Sequence, residues 1–122
     1  MLRLSHYSTG EDVGTTVTDM AILQQHTRHV LGTPDSSGSS GDPSPSTALG
    51  CFYGIKETVR ERFGDANLDG MKIAVQGLGN VGWPLCDLLN REGAHLHVCD
   101  IRSDVVQWAV DQFDSRPVSQ AR

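Results

Sequence analysis

The stretch MKIAVQGLGNVGWPLCDLLNREGAHLHVCDI, residues 71–101, changes hydrophobic period three times, and those changes decide the fold. Residues 71–76 are a short, largely apolar run, which predicts a strand. Six residues from Gly77 to Gly82 break it. Residues 80–92 then carry Val81, Leu85, Leu88 and Leu89 at helical spacing, with Pro84 in the first turn, where a missing N–H costs little. Gly93 closes that helix, and Leu96 to Asp100 reads as a second strand. Ser103 is placed as the cap of a further helix whose inward face is Val106, Ala109, Val110 and Phe113. The order is strand, helix, strand, helix, so the fold class is α/β with a parallel pair.

The break is Gly77-Leu78-Gly79-Asn80-Val81-Gly82, a G-x-G-x-x-G pattern. Alone it is weak. Between a strand and a helix, with Asp100 ending the next strand 23 positions after Gly77, it has the context of a dinucleotide-binding turn. Gly77 permits the tight turn, Gly79 lets the backbone approach a pyrophosphate, and Gly82 lets the helix pack closely. The helix N-terminus offers unpaired N–H groups and partial positive charge to phosphates. Asp100 is placed to accept hydrogen bonds from ribose hydroxyls, and its charge repels a 2′-phosphate, which favours NAD over NADP. Arg102 stands close enough to soften that preference. Leu78, Asn80, Val81 and Ile101 complete the candidate cofactor contacts. The plain alternative is a glycine turn that binds nothing; spacing and the terminal acid argue against it.

Upstream, Ser44-Pro45 starts a helix with the apolar stripe Leu49, Phe52, Ile55, Val59 and Phe63, closed by Gly64. Earlier still, Thr16 and Asp19 form a capping-box pattern, followed by Met20, Leu23, Thr27 and Val30 on one helical face, with Gly32 and Pro34 as the stop. Residues 32–46 are Gly, Ser, Pro and Asp with little apolar content. By composition they read as a linker; the functional alternative is a ligand-contacting loop.

Composition narrows the function classes. Net charge is −5 and no basic run occurs, which argues against nucleic acid as a partner. No apolar run approaches the ~18 residues of a membrane span, and no leader pattern opens the chain. The three cysteines, Cys51, Cys86 and Cys99, have no paired spacing, so reduced thiols and a cytoplasmic location are expected.

Three segments carry a family resemblance. They are Gly10-Glu11-Asp12-Val13-Gly14-Thr15-Thr16 with Asp19-Met20, then Gly38-Ser39-Ser40-Gly41-Asp42-Pro43-Ser44-Pro45 with Thr47-Ala48, then Ala74 to Val81. Their order and spacing resemble the glutamate/leucine/phenylalanine/valine dehydrogenase family, nearest its leucine branch. The resemblance implies NAD-dependent oxidative deamination of an L-amino acid, of branched-chain type, to a 2-oxo acid and ammonia. It implies Asp12 as catalytic general acid/base near the substrate amine, a role that suits a carboxylate. It places Thr47 against the nicotinamide carboxamide and the 38–45 loop along a cleft, and it implies a homo-oligomer. Without it, Asp12 is an ordinary turn acid and Thr47 a polar residue in a first helical turn.

The same resemblance divides the chain. Residues 1–46 are expected to be the end of a substrate domain with its cleft loop, 47–70 a connecting helix and turn, and 71–122 the first βαβα part of a Rossmann dinucleotide-binding domain. The family's two catalytic lysines belong to a glycine-rich motif; Lys56 and Lys72 sit in none, so no catalytic lysine is assigned and the chain reads as an internal fragment. The rival function is a non-catalytic nucleotide-binding or assembly module. His26 with His29, spaced on the predicted helix, and His95 with His97 on a strand face are weak metal candidates, and no metal is expected. Lys56 to Arg62 reads as a solvated face, and Trp83 and Trp108 as packing residues.

Overall fold

The computed structural model describes residues 7–34 and 41–119, which fall in two compact units, Met1–Pro43 and Ser44–Arg122. The second unit is α/β. Its elements are α2 (Ser44–Phe63), β1 (Lys72–Gln76), α3 (Gly82–Arg91), β2 (His95–Cys99), α4 (Ser103–Phe113) and β3 (Arg116–Pro117); α1 (Val17–Gln24) belongs to the first unit. The strands form one parallel sheet in the order β1-β2-β3, with Lys72 opposite His95 and Gln76 opposite Cys99. Parallel strands need a crossover, and α3 and α4 supply the two.

The strands and crossover helices bury one core. Val75, Leu85, Leu89, Leu96, Val98, Val105, Ala109 and Phe113 form it, joined by Ala48, Phe52 and Val59 of α2. Leu89 and Val98 are fully buried. Cys86 is buried beside them, and that burial pushes its thiol pKa up to about 11. It therefore behaves as a small apolar group. The ring of Trp83 packs on Phe113 at 5.0 Å between centroids.

Several expectations shift. The apolar stripe of α2 is narrower than the spacing predicts: Leu49 and Phe63 are exposed and Ala48 is buried instead. Lys56 is not on a free face. Its Nζ donates to Glu92 Oε2 at 2.6 Å, which ties α2 to the end of α3, and it lies 5.6 Å from the Phe52 ring centroid. Ser103 is the first residue of α4 rather than its cap; Arg102 takes that position, with no side-chain capping bond. The third strand escapes sequence reading because it is two residues long and contains Pro117, a residue confined to sheet edges and bulges. Val118 N–H extends the ladder to Val98 O at 2.9 Å.

In the first unit, the capping box is present. Thr16 Oγ1 accepts the Asp19 N–H at 3.4 Å, and Asp19 Oδ2 accepts the Thr16 N–H at 2.8 Å and its hydroxyl at 2.7 Å. These donors hold the Asp19 carboxyl below its ordinary pKa of 3.8. The helix stops at Gln24, well before Gly32, so Thr27 and Val30 are not on its face. Non-local pairing wins: Thr9 and Val30 form a parallel bridge, with Thr9 N–H donating to His29 O and Leu31 N–H to Thr9 O. His26 and His29 consequently lie beyond α1 and do not share a helical face. His95 and His97 do lie together on β2.

Candidate functional site

The turn between β1 and α3 is shaped by two glycines. Gly77 has φ = +92°, a conformation that side chains rarely adopt. At Gly82, a Cβ would run into the Gly77 carbonyl oxygen and stand 2.9 Å from its carbon. The first residue of α3 is therefore pressed on the end of β1, and only hydrogen fits. Gly79 differs: a Cβ there would meet nothing within 4 Å. The chain leaves open space over Gly79 that it does not itself use.

Because the strands are parallel and in register, this turn and Asp100 meet at the same, carboxyl-terminal edge of the sheet. Gly77 N–H donates to Cys99 O at 2.8 Å, carrying the ladder one residue past the strands. Leu78 N–H then donates to Asp100 Oδ2 at 2.6 Å. On the other side, Arg102 N–H donates to Asp100 Oδ1 at 2.9 Å, and Arg102 Nε stands 3.4 Å from the same oxygen. The Asp100 side chain is only 8% exposed. The Leu78 N–H, then the Arg102 N–H and guanidinium, hold its carboxyl below the ordinary 3.8 against the opposing effect of burial. It is an anion at neutral pH.

A cavity of about 390 Å³ is lined by Gln76, Gly77, Gly79, Asp100, Ile101 and Arg102. Here the structure gathers Gly77, Gly79, Asp100 and Ile101, and Ile101 is 88% exposed. A second cavity adjoins it across Gly79 and Arg102, lined also by Leu78, Asn80, Trp83, Pro84, Val105 and Trp108. Leu78 is split in role: its side chain is buried in the core and its N–H belongs to Asp100. Val81 packs half-buried against the same core. Sequence reading took Trp83 and Trp108 as packing residues only, and no spacing rule marks them as cavity walls.

These features fit a dinucleotide: open backbone over Gly79, the start of α3 three residues further on, and a half-buried anion lining the cavity. Thr47 stands exposed in the first turn of α2. Asp12 belongs to the first unit. There its Oδ1 accepts the Val13 N–H at 2.7 Å, its backbone N–H donates to Thr15 Oγ1, and its carbonyl accepts the Thr15 hydroxyl. Of the 38–45 loop, residues 38–40 lie outside the described residues. Among the described residues no cluster of His, Cys, Asp or Glu is arranged to hold a metal, and no helix is long and apolar enough to cross a membrane.

Comparison with known proteins follows the same lines. The chain is 52% identical over 112 residues to leucine dehydrogenase of Bacillus cereus, an overlap of 92% of this chain and 31% of that one. The crystal structure of L-tryptophan dehydrogenase from Nostoc punctiforme superposes with a TM-score of 0.70 at 38% identity, covering 91% of this chain and 30% of the other. A hetero-hexameric glutamate dehydrogenase from Thermus thermophilus shares the fold, with a TM-score of 0.59 at 24% identity over 93% of this chain and 32% of the other. The chain thus spans about 30% of the length of the relatives it matches. Residues 16–107 match the family described as Glutamate/Leucine/Phenylalanine/Valine dehydrogenase, from the capping box of α1 to the middle of α4, and the chain belongs to that family of amino acid dehydrogenases.

Proposed function

We propose that this chain supplies the NAD-binding half-site and one catalytic acid of an enzyme that oxidatively deaminates an aliphatic L-amino acid. The observation that carries the reading is the convergence of the Gly77–Gly82 turn and the half-buried Asp100 at one sheet edge. NAD, when bound, would supply the hydride acceptor for oxidation at the substrate Cα. The residues here hold it. The turn and the start of α3 receive the pyrophosphate through the backbone N–H groups of Gly79, Asn80, Val81 and Gly82, while Gly77 and Leu78, whose N–H groups are held by Cys99 O and Asp100, contact it by shaping the turn. Asp100 accepts the adenosine ribose hydroxyls, and Ile101 gives the adenine an apolar rim. Thr47 meets the carboxamide. Asp12 moves protons at the substrate amine, its exposed carboxylate being suited to attract an ammonium.

Residues 1–46 then close a substrate domain and 71–122 open the dinucleotide domain. A branched-chain substrate is favoured by the 52% identity to a leucine dehydrogenase. Assembly as a homo-oligomer and residence in the cytoplasm fit the same reading, with Cys51, Cys86 and Cys99 all free thiols.

The test is a graft. The matching segment of the Bacillus cereus leucine dehydrogenase is replaced by this chain, and NADH formation is followed by absorbance with L-leucine and with L-tryptophan. Turnover of L-leucine with NAD supports the reading, and a preference for L-tryptophan overturns the aliphatic assignment. A folded graft that binds NAD without turnover points to a nucleotide-binding module instead.

A further inference from the structure

Asp100 has more partners than a ribose acceptor needs. An ionised carboxylate offers about four lone-pair sites. Leu78 N–H takes one on Oδ2, and Arg102 contributes its N–H and Nε to Oδ1. Two ribose hydroxyls require two sites, so one protein donor has to yield. The two backbone donors are fixed by the turn and by the exit from β2. The Nε contact is the longest of the three at 3.4 Å, and the Arg102 side chain is 55% exposed. It is the cheapest to release, since exposed ion pairs contribute little. Arg102 also lines the cavity that Asp100 lines and the one adjoining it, so a released guanidinium stays beside the ribose site.

We propose that Arg102 is a specificity-determining residue: it competes with the ribose diol for Asp100 and, once displaced, pairs with a 2′-phosphate, so that the site takes both NAD and NADP. The inference rests on the dinucleotide reading above. Asp100 alone repels a phosphate. A planar guanidinium beside it offsets that field and presents a fork matched to phosphate oxygens. The resulting site is a compromise, weaker for NAD than Asp100 unaided and tolerant of the phosphorylated form.

The experiment is calorimetric titration of the whole chain with NAD and with NADP, repeated for Arg102→Ala and Arg102→Lys. For Arg102→Ala the two affinities are expected to move in opposite directions. NAD tightens about threefold, the size of a lost exposed competitor. NADP weakens at least about tenfold, as for loss of a charge-assisted contact. Arg102→Lys keeps a point charge without the fork and falls between the two for NADP. Opposed changes cannot come from a folding defect, which weakens both. Changes of the same sign, no change, or NAD binding with no NADP binding by the native chain overturn the proposal and leave the dinucleotide reading intact. If the native chain binds neither, the dinucleotide reading fails and this inference with it.

Discussion

Asp12 and Asp100 are both acids at the edge of a turn, and the chain uses them in opposite ways. Asp12 is exposed, and among the described residues its hydrogen bonds reach no further than Thr15. Asp100 is 8% exposed and grips Leu78, 22 positions away in sequence. The first holds a local turn through its Oδ1 and its backbone. The second joins two strands' ends and fixes the shape of the glycine turn. A residue that reacts gains from being accessible; a residue that orients gains from being held. On the function proposed above, the exposed Asp12 meets the first need and the held Asp100 the second.

The comparison breaks first if the glycine turn is as forgiving as the Asp12 turn. Gly82→Ala puts a methyl group against the Gly77 carbonyl and is expected to cost about 3 kcal/mol, at the upper end of overpacking; urea denaturation reads it, and a loss under about 0.5 kcal/mol would show that α3 is not pressed on β1. Asp100→Ala is next. Loss of hydrogen bonds to a charged acceptor is expected to weaken NAD binding by about 1–3 kcal/mol, and unchanged affinity by calorimetry removes Asp100 from the ribose site.

The pH dependence sharpens the contrast further. The folded state holds the Asp100 carboxyl below its ordinary 3.8. Its contribution is therefore present above that value and lost as pH falls through the lower, folded one. The stability gap between the native chain and Asp100→Asn should stay constant from pH 7 to 5 and close below 4. A gap that widens in acid contradicts the sign. Asp12→Asn should be the quietest change, within about 0.5 kcal/mol in this chain, as for other exposed positions. In the grafted dehydrogenase it should cut turnover while sparing NAD affinity; equal losses in both would mark a structural residue.

Sequence reading and structure agree best where local pattern and tertiary need coincide. The run from Lys72 to Cys99 folds as a parallel pair with α3 between, because its apolar spacing, its glycines and its acid all specify one arrangement. The α1 helix is the opposite case. Its start is written in Thr16 and Asp19, and its end is set by Thr9, which pairs with Val30 across the turn and takes that residue out of the helix. No local periodicity encodes a bridge to a residue 21 positions away. The same holds for Lys56, whose partner Glu92 comes from another helix end. At the site, Asp100 was legible by spacing, but the three donors around it were not. Asp12 has no pattern of its own, and only the family resemblance singles it out.

The order β1-β2-β3 leaves β1 at a margin of the sheet, its outer backbone donors and acceptors facing no strand among the described residues. Such a margin is a template for whatever extended chain comes next. Between copies of this chain the same margin is expected to act as an adhesive, so association of the purified chain should rise with its concentration and fall on dilution.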